Sequence, residues 1–408
     1  MGSSRLSISA LTLALLSALL VTRPAQAQTE TVLYNFTDGS GGGFPLSSLT
    51  PDGAGNFYGT ADSGGSGGHG VVFELSSNGH GGWKQSVLFS FNGKNGSYPT
   101  YSSVLYRSGK LYGTAYSGGA HGYGVVFEVS FNGKHWEHTV VYNFTGGTQG
   151  GYPNASLIMD SDGNLYGSTE GDGNGTDGIV FELSPAGTGW SERLIYDAGT
   201  TTGFTGLTID SAGTIFGVNQ NAQNGLSYVV ELTPTGHDSW MPTVIHTFTG
   251  YPKDGTGAAG SVVLDNAGNL YGVTSIGGPK GQGMVYKLIP EKNGEWTEKI
   301  LYSFKGFASG KDGANPEAGI VFDPTGNIYG TTSFGGDHND GTVFELVAPV
   351  GTGSYKEKVL WNFDNTDGAG PNSGLTLDAI GNLYGMTAFG GSSTSCGSYC
   401  GVVFEVVP

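Results

Sequence analysis

The chain has 408 residues, 75 of them glycine, and a formal net charge of −17. That charge excludes a nucleic-acid binder and disfavours polyanionic partners, because a negative surface repels phosphates. Aromatic residues make up 12% of the chain, which excludes a disordered glycine-rich tail, so the glycines must serve ordered turns.

Residues 1–27 contain Arg5, an apolar run from Leu11 to Val21 and the small-residue triplet Ala25-Gln26-Ala27. This is the pattern of a secretory signal peptide, with cleavage predicted after Ala27, and it implies a secreted or periplasmic mature chain. No later stretch approaches the ~20 apolar residues that a membrane helix needs. Residues 28–408 are expected to form one domain, monomeric and without a cofactor or metal.

The mature chain opens on a strand-like run, Val32 to Phe36. A short phrase then recurs seven times, as in Gly55-Asn-Phe-Tyr-Gly-Thr60 and Gly381-Asn-Leu-Tyr-Gly-Met386. Its landmark residues are Tyr58, Tyr112, Tyr166, Phe216, Tyr271, Tyr329 and Tyr384, at intervals of 50 to 58 residues. Each unit holds four short apolar pieces bounded by Gly, Asn, Asp or Ser. In the third unit they are 155–160, 164–168, 178–183 and 193–196. This composition reads as strand and turn, and no stretch sustains a helical period. A fixed period of this size with four strands per unit predicts an all-β fold, a seven-bladed β-propeller.

The strands of a unit are called A to D from the channel outward. Runs such as Asp160-Ser-Asp-Gly-Asn164 look like fragments of a calcium loop, but their chemistry is that of the A–B hairpin turn. Strand C, as in Val71-Val-Phe-Glu-Leu75, is apolar on both faces except for its glutamate. Glu74, Glu128, Glu182, Glu231, Glu345 and Glu405 are therefore expected to be structural, each bonded to a neighbouring blade. Lys287 takes that place in the fifth unit, which argues against a shared catalytic role. Trp83, Trp136, Trp190, Trp240 and Trp296 each stand four residues before the apolar run of strand D, which marks them as framework. The chain ends on strands A to C of the seventh unit, so Val32 to Phe36 is expected to supply the missing D strand and close the ring.

The phrase with its following "GVVFEL" resembles the glycine-rich tandem repeat of the Gloeobacter/Verrucomicrobia type, over residues 32–408. The resemblance implies a secreted bacterial propeller and no activity common to the family. Anchored members carry a C-terminal segment; this chain stops on strand C, so surface attachment is not expected.

Propeller ligands bind where D–A and B–C loops surround the channel mouth, so residues that break the repeat there are candidates. Pro45, Pro99, Pro153, Pro316 and Pro371 precede strand A. The residue before them is aromatic in the first three units: Phe44, Tyr98 and Tyr152. The matching residues elsewhere are Thr202, Gly257, Asn315 and Gly370. The B–C loops add His69, His121 and Tyr123 in the first two units, Glu170, Asp172 and Asp177 in the third, and Asp337, His338 and Asp340 in the sixth. Asymmetry in a ring of similar units points to a binding arc. Cys396 and Cys400, in an oxidising compartment, are expected to form a local disulfide.

No nucleophile elbow or phosphate loop is present, since the glycine-rich loops lead to strands rather than helices. Three functional readings follow. The first is a non-catalytic scaffold that binds a glycan or a peptide at the mouth. The second is a carbohydrate-active enzyme, a polysaccharide lyase or glycosidase. The third is a structural envelope protein without a ligand.

Overall fold

The computed structural model describes residues 28–171, 178–199, 203–220, 226–236, 239–309, 312–393, 395 and 400–408. The expected signal peptide lies outside the described residues, as do Thr202, Asp172, Asp177 and Cys396 with its expected disulfide. Cys400 is fully buried.

Among the described residues the chain forms seven antiparallel sheets of four or five strands, and one two-stranded patch. Blade 1 takes strands A to D from Thr50–Pro51, Phe57–Ala61, Val71–Ser77 and Trp83–Ser90, hydrogen-bonded in that order. The same up-and-down order recurs around the ring, so the seven-bladed propeller expected from the period is the fold. Blade 7 is composite. Its first three strands are Thr376–Leu377, Leu383–Thr387 and Val402–Val407, and its fourth is Thr29–Asn35 from the other end of the chain. Thr29 lies opposite Val407 and Asn35 opposite Val402, so the N-terminal strand closes the ring as the repeat phase implied.

The recurring Tyr-Gly has a steric cause. A Cβ on Gly167 would lie 2.5 Å from the ring of Phe181 on strand C, and one on Gly385 would lie 2.5 Å from Phe404. Only glycine lets the strand C phenylalanine lie flat across strand B. The tyrosine turns the other way, with its ring buried and its hydroxyl near the carboxylates of the A–B turn and of strand C. Tyr166 Oη donates to Asp160 at 2.9 Å, and Tyr384 Oη reaches Glu405 at 2.8 Å.

The turn aspartates act as predicted. Asp160 accepts the backbone N–H groups of Asp162 and Asn164, both at 2.9 Å, and the Asn164 side chain at 2.7 Å. The strand C glutamates correct the expectation of a bond to the next blade. Glu345 meets Tyr329 at 3.1 Å and Lys358 at 3.6 Å, and Glu128 meets Lys110 at 2.9 Å, all within one blade. The pleat points these carboxylates at strands B and D of their own sheet, so the partner is local. Lys287 in blade 5 instead lies 3.7 Å from the turn carboxylate of Asp265.

The cores lie between blades. Seven clusters of buried apolar side chains occupy the seven junctions among the described residues. At the closing junction, Tyr384, Met386 and Val403 of blade 7 pack on Phe57, Phe73 and Leu75 of blade 1. Each large side chain buried this way contributes roughly 1.5–3 kcal/mol. The tryptophans belong to the same junctions. Trp136, Trp190 and Trp240 each meet the landmark tyrosine of the preceding blade edge-on, at 6.2 Å. They are framework, as their even spacing implied.

Around the channel, small residues clasp blade to blade. The Ser48 N–H donates to Ser103 Oγ at 2.8 Å, and the Ser103 N–H to Ser156 Oγ at 2.9 Å. The Gly374 N–H of blade 7 donates to Ser48 Oγ of blade 1 at 2.9 Å, which joins the last blade to the first.

Candidate functional site

Strands A stop short of the axis and leave a cavity of about 650 Å³ to which all seven blades contribute. Its lining includes the clasp residues Ser48, Ser103, Ser156 and Gly374, with Ser261 and Gly319 at the matching places. The residues preceding them, Leu46, Tyr101, Asn154, Glu317 and Asn372, also line it.

Phe44, Tyr98 and Tyr152 have left-handed backbones, with φ of 56°, 57° and 60°. So do Gly257, Asn315 and Gly370 at the matching places, with φ of 64°, 55° and 58°. The cause is a repeated tie between blades. The Phe44, Tyr98 and Tyr152 N–H groups donate to the carbonyls of Cys400, His69 and Tyr123 in the preceding B–C loop, at 2.8 to 3.1 Å. Asn315 and Gly370 make the same bond to Gln282 and Asp340, both at 2.9 Å. Glycine and asparagine accept this conformation readily, whereas an aromatic residue there costs ~1–2 kcal/mol. Three successive blades thus carry backbone strain that three others avoid, and such strain concentrates at functional sites.

This tie also sets where the side chains go. Phe44 packs on Phe389 at 5.3 Å, Tyr98 lies 6.1 Å from His69, and Tyr152 lies 5.7 Å from Tyr123. The structure therefore brings His69 to Tyr98 and Tyr123 to Tyr152, while His121 is exposed. None of these six residues lines the central cavity; Phe44, Tyr98 and Tyr152 stand on D–A loops that contribute to its lining, and His69, His121 and Tyr123 on the adjoining B–C loops. Tyr98→Asn, which copies blade 6, is expected to leave the melting temperature unchanged or raise it, since the Tyr98 side chain is 42% exposed. Thermal unfolding checks this, and a fall of several degrees would show that packing requires the ring.

The aromatic residue inside the cavity is Tyr101. In blades 1, 3, 6 and 7 the proline is followed three residues later by the clasp residue. In blade 2 Ser103 follows Pro99 four residues later. The extra residue bulges the loop, and Tyr101 adopts φ 54° with 55% of its surface exposed. Burial, and then the negative charges of Glu317, Asp62 and Glu170, hold its hydroxyl above the ordinary phenol range. Burial likewise pushes the carboxyls of Glu317 and Asp62 up, the latter against a hydrogen bond from Thr100. Tyr116 lies 5.2 Å from Tyr152 and is held above the phenol range by burial and by Glu170. The mouth therefore combines exposed or half-buried phenol rings with carboxylates and the amides of Asn154 and Asn372. The signal for Tyr101 in the sequence is the one-residue insertion after Pro99.

No match is found among curated protein sequences. Among solved structures, a candidate 6-phosphogluconolactonase from Bacteroides uniformis is similar at 15% identity, over 77% of this chain and 83% of that one, with a TM-score of 0.51. The periplasmic gluconolactonase PpgL of Pseudomonas aeruginosa is similar at 15% identity over 77% of this chain and 88% of that one, with a TM-score of 0.46. PorZ, a surface component of the type-IX secretion system of Porphyromonas gingivalis, is similar at 14% identity over 84% of this chain and 45% of that one, with a TM-score of 0.44. At such identities the likeness to the Bacteroides protein shows a shared fold and says nothing of activity. The model of the Gloeobacter/Verrucomicrobia repeat matches residues 19–224 and 203–408, and the chain belongs to that repeat family.

Proposed function

We propose that this protein is a secreted, non-catalytic propeller whose channel mouth binds a neutral glycan. The observation that carries the reading is Tyr101, held in a left-handed loop inside the cavity with carboxylates and amides around it. A phenol ring offers a flat apolar face to a sugar ring. Asp62, Glu170, Glu317, Asn154 and Asn372 offer acceptors and donors to its hydroxyls. The same carboxylates repel anionic polysaccharides. Phe44, Tyr98 and Tyr152 extend the aromatic surface beyond the cavity, so a ligand longer than one sugar is favoured. Secretion rests on the N-terminal pattern of residues 1–27.

A second reading, a carbohydrate-active enzyme, is favoured by one observation. Glu317 and Asp62 have raised carboxyls, which suits a general acid. A glycan array that includes peptides, followed by reducing-end and unsaturated-sugar assays on each hit, separates the readings. The proposal expects a neutral glycan to be bound and recovered intact. Cleavage products would establish the enzyme, and binding of peptides alone would overturn the glycan.

A further inference from the structure

At the junction of blades 4 and 5, one position breaks a column of aromatic residues. The place occupied elsewhere by Tyr34, Phe89, Tyr142, Tyr196, Tyr302 and Trp361 holds His246, on strand Ser239–Thr247. In the next two blades the ring at this place donates to an aspartate in the following loop. Tyr302 Oη reaches Asp312 at 2.8 Å and Trp361 Nε1 reaches Asp367 at 2.9 Å. His246 makes no such bond. Its Nε2 lies 3.8 Å from Asp254 Oδ2 and 3.8 Å from Glu298 Oε1, the latter on strand Trp296–Ser303 of blade 5.

Two atoms of this cluster, His246 Nε2 and Glu298 Oε1, are fully buried without a hydrogen-bond partner among the described residues. A buried gap lined by an imidazole nitrogen and two carboxylates is costly unless something fills it. The three ligand atoms lie within 4.8 Å of one another. A point equidistant from all three is at most about 2.5 Å from each, within a few tenths of an ångström of the ~2.0–2.2 Å of zinc–nitrogen and zinc–oxygen bonds. Asp254 is already oriented: its Oδ2 accepts the Thr249 N–H at 2.7 Å and its Oδ1 the Gly255 N–H at 2.6 Å. Such outer support is what holds a metal ligand in place. Two carboxylates balance a divalent charge, and an imidazole nitrogen selects a transition ion over calcium or magnesium.

We infer that His246, Asp254 and Glu298 hold a divalent transition-metal ion, zinc in the first instance, that staples blade 4 to blade 5. The site is separate from the channel mouth, and its role is structural. The mature chain, stripped with chelator, is incubated with zinc, desalted and analysed for bound metal. The expected result is one site-bound zinc per chain that His246→Tyr removes. A rise in melting temperature of about 3 °C is expected at a hundredfold excess over Kd. His246→Tyr installs the ring used elsewhere in the column, so it is expected to fold and to show no rise. Glu298→Gln gives the same reading should the tyrosine variant fail to fold. No zinc uptake by the parent, or equal uptake by the variants, overturns the site.

Discussion

A chain beginning at Thr37 is expected to lose cooperative unfolding and to aggregate. The deleted segment carries strand Thr29–Asn35 and the fully buried Phe36. Leu33, Tyr34 and Phe36 pack into the core between blades 7 and 1, and Val32 packs into the core between blades 6 and 7. Removing one strand thus opens two junctions at once. At roughly 1.5–3 kcal/mol per large buried side chain, the loss rivals the whole net stability of a typical domain. It also bares the edge of Val402–Val407, a run of apolar β-formers interrupted by one glutamate. Such an edge pairs readily with other chains. Light scattering and calorimetry check the outcome. A truncated protein that stays monomeric with the parent melting temperature would show that the ring does not depend on this strand.

The second large effect is on the alkaline side. Glu30 is pushed up to about 8 by burial and by Asp367 and Asp364. Glu357 is pushed up to about 7 by burial and by Asp312, with Lys305 opposing. Both carboxyls are raised above their unfolded value near 4.5. Their stabilising contribution is therefore complete below that value and lost as pH rises through 7 to 8. On the acid side, burial raises Asp160 and Asp265, but hydrogen bonds from Asn164 and Asn269 outweigh it and hold both below the ordinary range. That contribution is lost as pH falls through their folded values. His138, stacked on Phe89 at 4.0 Å, is held down to about 4 by burial and adds to the acid-side loss. The melting temperature should peak at about pH 5 and, after discounting for partial exposure of the two glutamates, fall by about 5 °C towards pH 9. Glu30→Gln with Glu357→Gln should flatten the alkaline limb. An unchanged alkaline slope in the double variant would assign the effect to other groups.

Much of the fold was legible because a repeat states each rule seven times. The Tyr-Gly spacing, the tryptophan column and the unpaired first strand each follow from steric or edge constraints that any copy must obey. The glutamate partner was not legible, because strand C alternation shows that Glu345 points off the core but not towards which neighbour. The aromatic arc was visible as asymmetry at Phe44, Tyr98 and Tyr152, whereas the left-handed backbone they share with Gly257, Asn315 and Gly370 emerged only from the structure. Tyr101 was signalled only by the single residue inserted after Pro99, which shifts it off the repeat's alignment. Glu317 sits more than two hundred residues from Tyr101 in the chain and meets it only when blades 2 and 6 face each other across the channel. His246 stood in the sequence as a break in an aromatic column, but Glu298 joins it only through the junction of two blades.

The mouth is tested most directly by titration calorimetry of parent and Tyr101→Ala with a neutral glycan selected on the array. Loss of a stacking ring is worth ~0.5–1.5 kcal/mol, so affinity should fall by up to about tenfold. The melting temperature should not fall, because the change removes an exposed side chain. Equal affinity of the two proteins would contradict a binding site at the channel mouth.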